Sequence, residues 1–169
     1  SPILQQPLSL GADIVVHSTT KYINGHSDVV GGAVIAKCKE VHEDLAWWAN
    51  CTGITGSPFD SFITTRGLRT LSVRMKQHEE NASAVVESLN KHPAVDQVFY
   101  PGLETHATHR IAAQQQTGFG AMFSFTLNQD EICQKTFVKH LQLFTLAESL
   151  GGVESLICHP ATMTHAALS

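Results

Sequence analysis

The polar stretch that decides the fold is His17-Ser18-Thr19-Thr20-Lys21-Tyr22-Ile23-Asn24-Gly25-His26-Ser27-Asp28. It lies between two short runs of β-branched and small apolar residues, residues 12–17 and 29–36. Runs of this length and composition predict strands that are buried on both faces, as in a doubly wound sheet. The chain supplies only part of such a sheet. The fold class is therefore predicted to be α/β, with functional residues where the first strand ends.

Lys21 carries the chemistry that this polar stretch predicts. A lysine that loses hydration at the end of a buried strand favours its neutral amine, which can attack an aldehyde. Ser18 and Thr20 precede it at alternating positions, and their hydroxyls can donate hydrogen bonds to a phosphate. From the residues alone, a solvated lysine beside ordinary capping hydroxyls remains the alternative interpretation.

The composition narrows the class of protein. The 169 residues are 43% hydrophobic and 15% charged, which is typical of a folded globular chain. The formal net charge is −4 and the 11 Lys and Arg are scattered, so no nucleic-acid partner is expected. No apolar run approaches the roughly 20 residues of a membrane helix, so we expect no membrane partner and a cytoplasmic location.

Cysteines and histidines predict no further site. The four cysteines form no CxxC pair, so reduced thiols are expected. His106 and His109 can share a helix face, but no HExxH motif accompanies them, and no metal site is predicted.

Downstream of residue 36 the pattern becomes helical and then alternates. A helix is predicted over residues 40–50, and Ser57-Pro58-Phe59-Asp60 is typical of the start of a long helix that reaches about residue 90, with Gly67 as a point of interruption. Strands are predicted near residues 95–100, 121–127, 144–147 and 156–158, and helices near residues 109–116 and 131–140. This alternation predicts a second α/β layer, with a domain boundary at about residue 57.

The motif Ser18-x-Thr20-Lys21-Tyr22-x-x-Gly25-His26-Ser27-Asp28 resembles the cofactor-lysine motif of the Cys/Met metabolism PLP-dependent enzymes. This family includes cystathionine gamma-synthases, cystathionine beta- and gamma-lyases and methionine gamma-lyases. The resemblance continues in residues 66–71, 74–75, 118–122, 146–152 and 159–165. It implies an aspartate-aminotransferase-like, fold type I enzyme. Residues 1–56 would end the PLP-binding large domain, and residues 57–169 would form the connecting helix and most of the small C-terminal domain.

The resemblance also implies roles for five residues. Lys21 would hold pyridoxal 5'-phosphate (PLP) through an imine, and the hydroxyls of Ser18 and Thr20 would bind the cofactor phosphate. Ser149 matches a serine that contacts the substrate carboxylate and the catalytic lysine, with an ordinary loop serine as the alternative. Glu148, next to it, is either a substrate contact or one partner of a structural ion pair.

The implied reaction is γ-replacement. L-Cysteine would replace the succinyl group of an O-succinyl-L-homoserine to give L-cystathionine, a step of methionine biosynthesis, with Lys21 as general acid and base. The alternatives are a γ-lyase or homoserine-ester sulfhydrylase of the same family, and a noncatalytic binding module that retains the fold.

The resemblance further implies that the chain is an internal fragment. The family's aspartate at the ring nitrogen, its stacking tyrosine and its C-terminal arginine would lie outside residues 1–169. The isolated chain is therefore expected to be inactive. The full-length parent is expected to be a homotetramer that binds small-molecule amino acids.

Overall fold

The chain forms helices and strands of the predicted types in the predicted order. The computed structural model describes residues 1–128, 134–165 and 167. Its elements are β1 (Ile14–Ser18), β2 (Gly32–Ala36), α1 (Lys39–Thr52), α2 (Pro58–Arg69), α3 (Leu71–Asn90), β3 (Val95–Phe99), α4 (His109–Gln115), β4 (Ser124–Leu127), α5 (Gln134–Lys139), β5 (Thr145–Leu146) and β6 (Leu156–Ile157). The start of the helix predicted at residues 131–140 lies outside the described residues.

Strands β1 and β2 form an antiparallel pair, with Ile14 opposite Ala36. Residues 19–31 between them contain no helix that could carry the chain back for parallel pairing. Alternate side chains face solvent, and Val16 and Val34 are 73% and 53% exposed. The predicted burial on both faces refers to a sheet with more strands than this chain supplies, so it stays a prediction for the full-length protein. A strand is buried only where other elements cover it, and here one face of the pair is partly covered.

Helices α2 and α3 replace the single long helix of the prediction. The predicted start is confirmed, because the Ser57 hydroxyl accepts a hydrogen bond from the Asp60 amide at 3.0 Å and Pro58 occupies the first turn. The helix continues through Gly67 and ends at Arg69, with Thr70 as its C-cap. The Thr70 hydroxyl donates to the Gly67 carbonyl at 3.2 Å, a local bond that competes with helix continuation. The interruption therefore lies three residues beyond Gly67.

Helix α3 supplies much of the core. Four of its residues at helical spacing are buried, namely Leu71, Met75, Ala82 and Val86. Val86 packs with Val98 and Tyr100, and this centre is surrounded by Leu89, Val95, Leu103, Phe119, Phe123 and Phe125. The Tyr100 hydroxyl donates to the Gly120 carbonyl at 2.9 Å. Helix α3 is thereby fixed against the antiparallel pair of β3 and β4.

The remaining strands, β5 and β6, pair in parallel and flank the segment that carries Glu148 and Ser149. Within the described ranges, no helix is long and apolar enough to cross a membrane. The same residues contain no group of three or more His, Cys, Asp or Glu side chains that could hold a metal ion.

Candidate active site

Lys21 and Ser149 meet although they are 128 residues apart in the sequence. Lys21 lies half-buried in the turn that follows β1, and its Nζ donates a hydrogen bond to Ser149 Oγ at 2.8 Å. Ser149 has a φ of 65°, in the left-handed region that few residues other than glycine adopt. Backbone strain of this kind is concentrated at functional sites. The structure thus brings together two site residues that were predicted from separate segments.

The two predicted phosphate-binding hydroxyls lie on either side of Thr19. Ser18 ends β1 and is exposed, whereas Thr20 is half-buried. The Thr20 hydroxyl accepts from the Gly31 amide at 3.0 Å and directs its proton to the Gly31 carbonyl at 3.3 Å. That second bond is long for an O–H donor, so a phosphate oxygen can compete for the proton. An amine for the aldehyde and two hydroxyls for the phosphate fit PLP.

The loop that carries Ser149 lies directly on the backbone of the Lys21 turn. Gly151 has a φ of 124°, and a Cβ added there would lie 2.9 Å from the Tyr22 amide nitrogen and 3.0 Å from the Lys21 carbonyl carbon. A side chain at this position is excluded by both torsion and contact. The absence of a side chain at Gly151 thus allows the two backbones to approach closely.

Ser27 and Glu154 form a second link between the same two segments. Ser27 Oγ donates to Glu154 Oε2 at 3.2 Å, and Ser27 also adopts a positive φ, 56°. The sequence interpretation missed this pair. Ser27 is part of the matched motif, but nothing in the local pattern indicates a partner 127 residues away.

Arg74 also holds the turn, through hydrogen bonds to its backbone. Its Nη1 donates to the Tyr22 carbonyl at 2.8 Å, and its Nη2 donates to the Ile23 carbonyl at 3.2 Å and the Gly67 carbonyl at 2.8 Å. Its Nε donates to Thr70 Oγ1 at 3.0 Å. The sequence interpretation placed Arg74 in a matched segment without a role.

Burial favours the neutral forms of two ionisable side chains at the turn, Tyr22 and His78. The Tyr22 ring packs edge-on against His78 with ring centroids 5.5 Å apart. Burial, with a smaller contribution from Tyr100, raises the pKa of Tyr22. Burial, with a smaller contribution from the Arg74 charge, lowers the pKa of His78. A neutral histidine beside the guanidinium avoids repulsion between two positive charges.

Glu148 is exposed beside Ser149. The ion pairs among the described residues are Lys39–Glu43 and Lys91–Glu87, and neither contains Glu148. The alternative that Glu148 is a structural ion-pair partner therefore has no support in the described part of the chain.

Comparison with known proteins shows the family to which the chain belongs. The family model for Cys/Met metabolism PLP-dependent enzymes matches residues 1–169. Cystathionine gamma-synthase of Escherichia coli (strain K12) is 58% identical over 169 residues, which cover 100% of this chain and 44% of that protein. Curated relatives also include cystathionine beta-lyases.

Solved structures of the same group share the fold. Cystathionine gamma-synthase from Xanthomonas oryzae pv. oryzae, in complex with aminoacrylate and cysteine, superposes with a TM-score of 0.96 at 63% identity. Cystathionine gamma-lyase from Lactobacillus plantarum, complexed with L-serine, gives a TM-score of 0.95 at 47% identity. Each match covers 100% of this chain and 44% of the other chain, so the chain spans less than half the length of these proteins. The predicted fold type I architecture, present in part, is confirmed, and the chain belongs to the family of Cys/Met metabolism PLP-dependent enzymes.

Proposed function

We propose that the protein containing this chain catalyses γ-replacement on an O-acyl-L-homoserine. L-Cysteine would displace the acyl group, taken as succinyl, to give L-cystathionine and succinate. The observation that carries this proposal is the 2.8 Å hydrogen bond between Lys21 Nζ and Ser149 Oγ. It supports the proposal because it joins the matched lysine motif to the matched serine loop in a chain 58% and 63% identical to two cystathionine gamma-synthases.

Lys21 is the proposed proton-transfer group. When bound, PLP supplies an electron sink for negative charge that develops on substrate carbon atoms. The Lys21 amine takes and returns protons at those carbons, and its flexible stem lets one nitrogen reach more than one of them. Ser149 accepts the hydrogen bond from Nζ and so orients the amine. Ser18 and Thr20 would donate hydrogen bonds from their hydroxyls to the cofactor phosphate.

γ-Elimination is the second candidate function, and the 47% identity to a cystathionine gamma-lyase favours it as the alternative. Both reactions release the acyl group of the homoserine ester. They differ in whether the remaining carbon chain is captured by the cysteine thiol or released as 2-oxobutyrate and ammonia. A residue that positions cysteine is therefore expected to separate the two.

Glu148 is the proposed contact for the incoming cysteine. Its carboxylate is exposed, and its neighbour Ser149 contacts the Lys21 amine. An incoming cysteine carries an ammonium group, and a carboxylate holds such a group by a charge-assisted hydrogen bond.

Replacement of Glu148 by glutamine in the full-length protein is expected to weaken cystathionine formation more than 2-oxobutyrate release. Loss of one hydrogen bond to a charged group costs about 1.5–3 kcal/mol, or roughly a tenfold to hundredfold loss in cysteine-dependent kcat/KM. Cofactor content is expected to stay unchanged. Both products are measured in parallel over a cysteine titration.

Glu104→Gln is the matched control for this experiment, because Glu104 is also exposed but lies outside the site. An equal loss of both rates, or no loss of either, would remove the role of Glu148. A wild-type protein unable to form cystathionine from the homoserine ester and cysteine would remove the proposed γ-replacement.

We also infer that residues 1–169 alone are inactive and bind PLP weakly. The matched relatives are more than twice as long, and β1 and β2 expose Val16 and Val34 to solvent. In an absorbance titration, the isolated chain is expected to show no saturable imine band, whereas the full-length protein shows one. Tight, saturable binding by the isolated chain would contradict this inference.

A further inference from the structure

We propose that Arg74 is a positioning residue that sets the orientation of Lys21 by holding the peptide carbonyls that follow it. This inference rests on the proposed function of Lys21. Arg74 contacts neither the Lys21 amine nor the Ser149 hydroxyl, so it would act on the lysine through the backbone of the turn.

The guanidinium uses all three of its nitrogens. Two of its four hydrogen bonds go to the carbonyls of Tyr22 and Ile23, the residues immediately after Lys21. The other two go to Gly67 and Thr70 at the end of α2. The guanidinium is planar and its donors point in fixed directions, so it restrains the orientation of each acceptor. An ammonium group, whose charge is concentrated at one atom, does not impose such a restraint. Arg74 therefore ties two consecutive peptide planes of the Lys21 turn to the junction of α2 and α3.

The turn is built to receive this guanidinium. Gly25 closes it by donating its amide to the Lys21 carbonyl at 2.9 Å, and it adopts a φ of 72°. A Cβ on Gly25 would collide with the Arg74 guanidinium. The torsion and the vacant Cβ position thus both require glycine where the arginine side chain passes.

The backbone of Arg74 is anchored in the protein core. It lies on α3 between Leu71 and Met75, which are only 2% and 1% exposed. Helix α2 approaches the same turn closely, because a Cβ on Gly67 would lie 2.6 Å from the Asn24 carbonyl oxygen. The position of the turn is therefore set by the protein core through α2 and α3.

A second contact of the Lys21 turn makes the position of the turn relevant to the Lys21 amine. The Ser149 loop lies against the Lys21 backbone at Gly151. The Lys21 turn is thus held both by the Arg74 hydrogen bonds and by the loop that orients Nζ. A shift of the turn away from Arg74 changes the position from which Nζ reaches Ser149.

The cost of burying the Arg74 charge must be offset by hydrogen bonds to the guanidinium. Burial lowers the pKa of Arg74, because it removes the charged group from water. A charge placed in such surroundings requires hydrogen-bond partners, and here they are three carbonyls and a hydroxyl. Two of those carbonyls belong to the Lys21 turn, so the partners that stabilise the charge are also the groups that it orients.

The test compares Arg74→Met, Arg74→Lys and the control Lys76→Met in the full-length holoenzyme. Lys76 is an exposed cation on the same helix, two residues away. A misplacement of a catalytic group by about 1 Å can lower the rate roughly a hundredfold. Arg74→Met is therefore expected to lower kcat by about that factor, whereas KM is expected to change by less than about threefold. Arg74→Lys is expected to give an intermediate loss, since an ammonium reaches fewer of the four acceptors.

Hydrogen exchange gives a readout that is independent of turnover. The amides of Asn24 and Gly25 donate to the carbonyls of Thr19 and Lys21 within the turn. Their exchange is expected to accelerate in both Arg74 variants and to remain unchanged in Lys76→Met. If Arg74→Met does not fold, the exchange rates and kcat of Arg74→Lys are compared with those of Lys76→Met instead.

Unchanged exchange at Asn24 and Gly25, or faster exchange with an unaltered kcat, would overturn the positioning role of Arg74. A wild-type protein that forms no cystathionine would instead remove the proposed γ-replacement, and the exchange comparison would still decide whether Arg74 holds the turn.

Discussion

Replacement of Lys21 by alanine in the full-length protein is expected to abolish both turnover and the visible absorption of lysine-bound PLP. Lys21 is the lysine with hydroxyl residues one and three positions before it, and no other lysine in the sequence has this pattern. Its amine is also the group that contacts Ser149. Loss of both the covalent attachment and the proton transfer is expected to lower kcat by at least about 10³-fold.

Borohydride reduction followed by peptide mapping checks the identity of the lysine. The pyridoxyl label is expected on the peptide that contains Lys21. Lys37→Ala is the matched control, because Lys37 is exposed directly after β2, and this variant is expected to keep its absorption and turnover. A label on any other lysine would show that the assignment of Lys21 is wrong.

Replacement of Gly67 by alanine is expected to destabilise the full-length protein and to lower its turnover about a hundredfold. Within a helix, alanine is ordinarily favoured over glycine by about 1 kcal/mol. Here the added Cβ would lie 2.6 Å from the Asn24 carbonyl oxygen and 2.7 Å from the Ile23 carbonyl oxygen. Backbone atoms cannot rotate away as a side chain can, so overpacking of about 1–3 kcal/mol is expected to outweigh the helix preference.

The loss of turnover has the same origin, because the displaced carbonyls belong to the turn that holds Lys21. Thermal unfolding and steady-state kinetics are measured on Gly67→Ala and on Ser88→Ala, an exposed position of α3. Ser88→Ala is expected to be neutral or slightly stabilising. A higher unfolding midpoint with full turnover in Gly67→Ala would show that this close approach does not restrain the site.

Local sequence predicted the elements well because the signals that specify them are local. Ser57 and Pro58 place the start of α2, since a capping hydroxyl and a fixed φ act within one turn of helix. Lys21 was singled out for the same reason, as its amine and the hydroxyls of Ser18 and Thr20 lie within four consecutive residues. The resemblance extended this to Ser149 and Glu148, which the residues alone do not distinguish from ordinary loop residues.

Burial is harder to predict from local sequence, because it depends on which elements cover a strand. The apolar residues of β1 and β2 predict two covered faces in a larger sheet, and in this chain the two strands form an antiparallel pair with Val16 and Val34 exposed. Apolar content describes what a strand can bury, and the tertiary structure decides what it does bury.

The sequence by itself therefore determined the order of helices and strands and the family motif, and from that motif it predicts Lys21 as the reactive lysine. Only the tertiary structure decided how that lysine is held. Lys21 and Ser149 are 128 positions apart in the sequence. Gly67 is 43 to 44 positions from the turn carbonyls that it approaches, and Arg74 is 51 to 52 positions from the Ile23 and Tyr22 carbonyls that it binds. Such contacts follow from the approach of α2, α3 and the Ser149 loop to the turn, and no periodicity or cap in the intervening chain specifies them.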